Sequence, residues 1–190
     1  MKKNLWISIR MTLVTTALLG LGYPLAVTGL AQFLFPTRAN GQLIEREGEL
    51  VGSHIIGQPF SSPRYFHPRP SAAGIGYDPL SSGGSNLAPT NHLLVDRVAD
   101  AVKELEKENS GEPVPVDLVT TSGSGLDPDI TPAAAEFQVR RVARARGISE
   151  ADVRRLVAAH TRQRDFGVLG EPRVNVLELN LDLDFTYPHR

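Results

Sequence analysis

Two aspartates, Asp127 and Asp129, flank Pro128 in the stretch SGSGLDPDIT, and two serines, Ser122 and Ser124, stand just ahead of them. Carboxylates this close on a proline-bent loop can share a hard cation with loop carbonyls, but they fall short of the six to eight oxygens of a calcium loop. Their structural reading is that they stabilise the turn and the positive N-terminus of the helix that follows. Ser124 sits in Ser-Gly-Ser-Gly; the residue two before it is Ser122, so the Gly-x-Ser-x-Gly elbow of a serine hydrolase is not met. Both serines read as turn residues. His54, His67, His92, His160 and His189 are scattered, with no i,i+4 pair and no His-Glu-x-x-His. His160, near a helix end, reads as a favourable residue beside the negative end of the helix dipole.

Other chemical tools are missing from the sequence. There are no cysteines, hence no disulfide, thiolate metal site or thiol nucleophile. No phosphate-cradling Walker A sequence occurs, and Gly74-Ile75-Gly76 does not open a dinucleotide fingerprint. The Asp-Lys-Thr-Gly sequence that carries the phosphorylated aspartate of P-type pumps is also absent. The segment LSSGGSN (80–86) approaches the LSGGQ signature of ABC transporters, but it has an inserted serine and Ser85 where glutamine belongs, and it reads as a solvated loop. One enzymatic reading stays open: a membrane-tethered enzyme outside the cytoplasm using Asp127, Asp129 or Ser124 in an unfamiliar arrangement.

The elements that must position these residues begin with an apolar segment. From Met11 to Ala31 no residue is charged, which is about the roughly 20 residues a helix needs to cross a bilayer. Lys2, Lys3 and Arg10 precede it, whereas Glu45, Glu47 and Glu49 follow soon after. The excess of positive charge on cytoplasmic flanks predicts a cytoplasmic stretch 1–10, a membrane helix 11–35 acting as a signal anchor, and an extracytoplasmic domain 36–190. A cleaved signal peptide, with Gly29 and Ala31 before the cut, is the rival; its apolar region would exceed the roughly 7–15 residues usual for one. Gly22 and Ala26 form a small-xxx-small pair that lets another membrane helix approach, and Pro24 between them predicts a kink.

The 190 residues of the whole chain leave room for one compact domain plus an appendage, 41% apolar content allows a core, and a net charge of −1 argues against nucleic acid as partner. Leu50–Gly57 reads as a strand. Six prolines and four glycines between Pro59 and Asn91 predict a long irregular loop, kept ordered by Phe60, Tyr65, Phe66 and Tyr77. The spacing of Leu94, Val98, Ala101, Val102 and Leu105 predicts a helix over 91–108, ended at Asn109-Ser110-Gly111. A short strand is expected within 115–121. Thr131 as N-cap, Pro132 as first residue and Gly147 as terminator frame the next helix. Ser149 and Asp152 form a capping box for another, through His160. Leu177, Leu179, Leu181 and Leu183 alternate with Glu178, Asn180, Asp182 and Asp184, which predicts a strand with one wet face. The fold class is α+β: one membrane helix, then a single mixed domain with a long ordered loop.

Several stretches, in order, resemble the C-subunit family of Kdp-type potassium-transporting ATPases (KdpC). They are Phe33-Leu34-Phe35-Pro36; Ala39-Asn40-Gly41-Gln42, Gly52-Ser53, Ile56-Gly57-Gln58 and Phe60; Tyr65-Phe66-His67-Pro68-Arg69-Pro70-Ser71-Ala72; Ser82 to Asn91; Thr120 to Ile130; Arg140-Arg141-Val142-Ala143 with Arg146-Gly147; and Val174-Asn175-Val176-Leu177 with Leu179-Asn180. The resemblance implies a non-catalytic accessory subunit of a high-affinity ATP-driven potassium uptake complex in the inner membrane. Its implied partners are a channel-like A subunit, a P-type B subunit that hydrolyses ATP, and a small F subunit. It also implies a chaperone-like role in ATP use, with ATP the implied nucleotide and potassium the transported ion. Direct ATP contact conflicts with the charge bias, which places residues 36–190 outside. The expectation is therefore assembly and stabilisation, with the outer domain docked on the channel-like subunit. Loops pinned by aromatics present fixed surfaces, so Tyr65, Phe66, Arg69, Asn86 and Asn91 are the candidate docking residues, and Gly22 and Ala26 the candidate membrane-helix contact. The alternative for Tyr65 and Phe66 is that both belong to the core.

Overall fold

The apolar segment forms one long helical rod. In the computed structural model, which describes residues 2–109 and 111–188, helix α1 (Lys2–Thr15) passes through a π-helical stretch (Thr16–Gly22) into α2 (Tyr23–Leu34). Met1, Ser110, His189 and Arg190 lie outside the described residues, so the expectations that touch Ser110 and His189 have no structural counterpart here. The 33 residues Lys2–Leu34 span roughly 50 Å at 1.5 Å per residue, more than the roughly 30 Å of a hydrocarbon core. None of their side chains is buried. The π-helical stretch lies directly before Pro24. Proline has no N–H and its ring presses on the carbonyl four residues back, and wider turns relieve that conflict. The Tyr23 N–H accordingly reaches back to the Leu18 carbonyl.

A one-turn helix α3 (Pro36–Ala39) follows, then β1 (Leu43–Arg46) and β2 (Glu49–Ser53), which pair as a two-stranded sheet. The chain divides into two compact units, one through Val51 and one from Gly52. The strand expected over 50–57 is shorter than predicted. It ends at Ser53, and the Gly57 N–H then bonds to the Leu126 carbonyl at 2.8 Å instead of extending the sheet.

In the second unit, the core is built on three helices: α5 (Pro132–Arg146), α6 (Glu150–His160) and α7 (Val176–Thr186). They gather Ala134, Ala135, Val139, Val142, Val153, Leu179 and Leu183 around a small antiparallel sheet in the order β3 (Asp129–Ile130), β5 (Arg173–Asn175), β4 (Thr161–Arg162). Ile130 opposes Val174, which also opposes Thr161, so the buried Val174 carries the sheet into the core. The expected caps are in place. Thr131 Oγ1 accepts the Ala134 N–H at 3.1 Å, Gly147 takes the left-handed conformation at φ 69°, and Ser149 Oγ accepts the Asp152 N–H at 3.1 Å. Helix α4 (His92–Glu108) starts at Asn91, whose Oδ1 accepts the Leu93 N–H at 2.9 Å. Its predicted stripe is only half-buried.

Two predicted strands are not strands. Residues 115–121 hold a 3₁₀ turn at Val116–Leu118, because the buried Asp117 carboxylate turns inward to accept the Thr131 N–H at 2.7 Å. The leucine alternation of 177–183 lies in helix α7, not in a strand. Asn175 Oδ1 caps it by accepting the Glu178 N–H at 3.0 Å. The buried set Val176, Leu177, Leu179, Asn180 and Leu183 has helical spacing, so the polar Asn180 faces the core and Leu181 does not.

Candidate functional site

The long loop from Gln58 to Asn91 has almost no regular structure, and its backbone polar groups need partners from elsewhere. Two buried amides supply them. Asn180 Oδ1 accepts the Phe66 N–H at 2.8 Å, and its Nδ2 donates to the Phe66 carbonyl at 2.9 Å. Gln138 does the same for the next residue: Oε1 accepts the His67 N–H at 2.7 Å, and Nε2 donates to the His67 carbonyl at 3.1 Å. Helices α7 and α5 thus hold adjacent residues of the loop as paired strands would.

Two arginines of α5 complete the clamp. Arg141 donates to the Pro63 and Tyr65 carbonyls at 2.7 and 2.9 Å, to Gln138 at 2.6 Å, and to Glu108 of α4 at 3.0 Å. Burial pushes its pKa down, and Glu108 opposes that shift. Arg146, with only 1% of its side chain exposed, donates to the Arg64 carbonyl at 2.8 Å and to Asp184 at 2.7 Å. It also lies over the Tyr65 ring, 5.0 Å from its centroid. The Tyr65 hydroxyl donates to Asp184 at 2.9 Å, and burial followed by the Asp184 carboxylate raises its pKa.

The candidate docking residues therefore separate. Phe66 is 0% exposed and its ring belongs to the core, so it offers no side-chain surface to a partner. Tyr65 is half-buried and committed to Asp184 and Arg146. Arg69 reaches Asp127 at 3.2 Å and the Thr121 carbonyl at 3.4 Å. Asn91 spends its side-chain oxygen on the α4 cap, whereas Asn86 is exposed at φ 52°. Gly22 and Ala26 lie on the exposed helical rod.

The residues singled out for chemistry are tied to the same loop. Asp127 Oδ1 accepts the Asp129 N–H at 3.0 Å while its other oxygen holds Arg69. Asp129 faces Arg173 at 3.3 Å; burial and then Asp127 raise its pKa, and Arg173 opposes. Ser124 Oγ accepts the Leu126 N–H at 3.1 Å, as a turn serine does. Its carbonyl accepts from Gly83 N–H at 2.8 Å and Ser82 Oγ at 3.0 Å, pinning the LSSGGSN segment to the SGSG turn. Gly125 sits at this crossing with φ +67°; a Cβ there would lie 2.6 Å from the Gly83 carbonyl oxygen and 2.7 Å from the Ala73 nitrogen. His160 Nε2 lies 2.9 Å from Asp182 and His54 Nδ1 2.6 Å from Glu178, so both are paired with the face of α7. Among the described residues, no group of three or more His, Asp or Glu could hold a metal.

Between α4 and the loop lies a cleft of about 350 Å³, lined among others by Phe60, Tyr77, Leu105, Leu118 and Arg141. Burial raises the Tyr77 hydroxyl to about 12, and that hydroxyl donates to the Arg69 carbonyl. The buried Gln138, Asn180, Arg146 and Asp117 were not predicted as site residues. For Gln138 and Asn180 the signal is polarity where helical spacing demands an apolar residue.

An α+β domain carried behind one helix long and apolar enough to cross a membrane defines the class. The chain belongs to the family described as K+-transporting ATPase, c chain, whose model matches residues 5–185. It is 65% identical over 188 residues to the potassium-transporting ATPase KdpC subunit of Koribacter versatilis (strain Ellin345), covering 99% of this chain and 97% of that one. It is 59% identical over 173 residues to the protein of the same name from Acidobacterium capsulatum, with 91% and 93% covered. The Caulobacter vibrioides (strain NA1000 / CB15N) protein, again of that name, is 57% identical over 174 residues, with 91% and 88% covered.

Proposed function

We propose that this chain is a non-catalytic accessory subunit of an ATP-driven potassium uptake complex. One helix anchors it in the inner membrane with its N-terminus in the cytoplasm and the domain outside. Its partners are the channel-like, P-type and small subunits of the same pump, and it supports ATP use by the P-type subunit indirectly, through assembly. Family membership over residues 5–185 supports the complex, and the basic flank Lys2, Lys3 and Arg10 supports the orientation.

The observation that carries the docking role is the clamp on the loop. Its inner side is bonded to α5 and α7 by Gln138, Arg141, Arg146 and Asn180, so its outer residues stand at set positions and lose little entropy when a partner arrives. Asn86 is exposed on the loop, Arg69 is partly exposed beside Asp127, and Tyr65 is half-buried between clamp and solvent. Arg69→Ala and Asn86→Arg are expected to reduce recovery of the pump's other chains with a tagged copy of this one. Full recovery with both would move the docking face elsewhere. Orientation is tested by Ile75→Cys, since Ile75 is fully exposed and the chain has no other cysteine. A membrane-impermeant maleimide is expected to label it in intact cells; labelling only after lysis would reverse the topology.

A further inference from the structure

Between β4 and β5 the chain leaves the domain as an arm in which every residue from Arg162 to Glu171 is exposed. The arm is nonetheless ordered. The Asp165 N–H donates to the Leu169 carbonyl at 2.8 Å, and the Leu169 and Val168 N–H groups donate to the Asp165 carbonyl at 2.9 and 3.2 Å. The Gly167 N–H donates to the Arg164 carbonyl at 3.1 Å. At its tip Phe166 is 93% exposed, Val168 72% and Leu169 59%. Phe166 has φ +54°, a left-handed conformation that a phenylalanine seldom adopts. The fold covers little of these three side chains, least of all Phe166.

We propose that this tip inserts into the headgroup region of the bilayer that holds the chain's own helix, a proposal that rests on the membrane anchoring above. Three properties of the arm fit lipid. The run Phe166-Gly167-Val168-Leu169-Gly170 has no polar side chain with which to recognise a protein surface. The bonded amides of the tip can leave water without a large penalty. Behind the tip stand Arg162, Arg164 and Arg173, paired with Glu178, Glu171 and Asp129, and arginines flanking aromatic and aliphatic residues are the composition of segments at membrane interfaces. Arg164 bridges to Glu171 at 2.7 Å, which ties the two sides of the arm together below the tip.

A bilayer is also the apolar phase the chain supplies for itself. The stretch between the end of α2 at Leu34 and the second unit at Gly52 can extend by at most roughly 60 Å. A unit of this size has a radius of gyration of about 14 Å. The arm is thus held at high effective concentration beside the membrane, and a weak insertion suffices to hold the domain to it.

The test uses the full-length chain in lipid vesicles. Its single tryptophan, Trp6, is replaced (Trp6→Phe), and Phe166→Trp places an indole at the tip. The expected result is a blue-shifted emission that vesicles containing phosphatidylcholine brominated near the headgroup end of the acyl chains largely quench. Val168→Asp in the same background is expected to return the emission to that of exposed indole. An unshifted, unquenched emission overturns the proposal. So does a blue shift that needs the pump's other chains and ignores brominated lipid, because the arm is then a protein contact. Carbonate extraction separates the anchoring from the arm: release of the chain overturns both, whereas retention with an unquenched indole overturns the arm alone.

Discussion

Asn180 and Phe66 exchange the two hydrogen bonds of an antiparallel strand pair, although Asn180 lies in helix α7 and Phe66 in no strand at all. A side-chain amide here substitutes for a missing peptide, and Gln138 repeats the device on His67. Asn180→Leu fits the same space but leaves the Phe66 N–H and carbonyl without partners, at about 1–3 kcal/mol for each orphaned group. Tm is expected to fall by about 2–4 °C per kcal/mol lost. Because both amides hold one segment, Gln138→Leu combined with Asn180→Leu is expected to cost less than the sum of the two. Strict additivity in thermal unfolding would show that the amides do not work as one clamp.

The crossing of the two glycine-rich segments gives a sharper test. Gly125→Ala forces a Cβ to within 2.6 Å of a backbone oxygen at a positive φ, so the cost exceeds the roughly 1 kcal/mol at stake in a compatible exchange. The expected outcome is earlier proteolysis within 73–84, because the loop must move off the SGSG turn. Gly123→Ala, two residues away in open space, is the control and is expected to leave the digestion pattern unchanged.

Tyr65 and Phe66 are neighbours with opposite duties, and two substitutions separate them. Phe66→Ala empties a fully buried position and is expected to destabilise the chain by about 3–5 kcal/mol. Tyr65→Phe keeps the ring beneath Arg146 and removes only the hydroxyl bonded to Asp184, at about 1.5–3 kcal/mol for a bond to a charged group. Denaturant midpoints of the two variants check this. A Tyr65→Phe midpoint equal to the parent's would mean that the Tyr65 ring, not its hydroxyl, carries the contact.

The parts legible in the sequence are those encoded within a few residues of each other. Thr131, Pro132 and Gly147 frame α5 because cap, first turn and terminator are local choices, and Asn91 and Ser149 act in the same way. The long apolar segment is legible because an uncharged run long enough to cross a membrane is a local property of the sequence. Helix α7 shows the limit: Leu177, Leu179, Leu181 and Leu183 satisfy a period of two, yet the Asn175 cap and the buried spacing of Val176, Leu177, Leu179, Asn180 and Leu183 settle a helix. The clamp was beyond reach for a different reason. Gln138 is bonded to a residue 71 positions away and Asn180 to one 114 positions away, and no local pattern specifies such partners.

His67 makes the clamp sensitive to acid. Its Nε2 lies 3.0 Å from the Ser62 carbonyl oxygen, which can only accept, so Nε2 carries the proton of the neutral ring. Burial, and then the Arg141 guanidinium, hold its pKa below the ordinary value, with Ser62 and Glu108 opposing. In the unfolded chain the ring titrates near about 6.5. Above that pH both states are neutral and His67 contributes no pH dependence. Below it the unfolded chain takes up a proton that the folded chain resists, so stability falls with pH until the depressed native value is reached. Asp129 works the other way: its raised native pKa lets the folded chain take up a proton first, so acid relieves its strain. Comparing the parent with His67→Gln, whose amide can still donate to Ser62, cancels every group but His67. The stability advantage of the parent is expected to shrink between pH 7.5 and pH 5 in urea titrations; a constant difference across that range would refute the assignment.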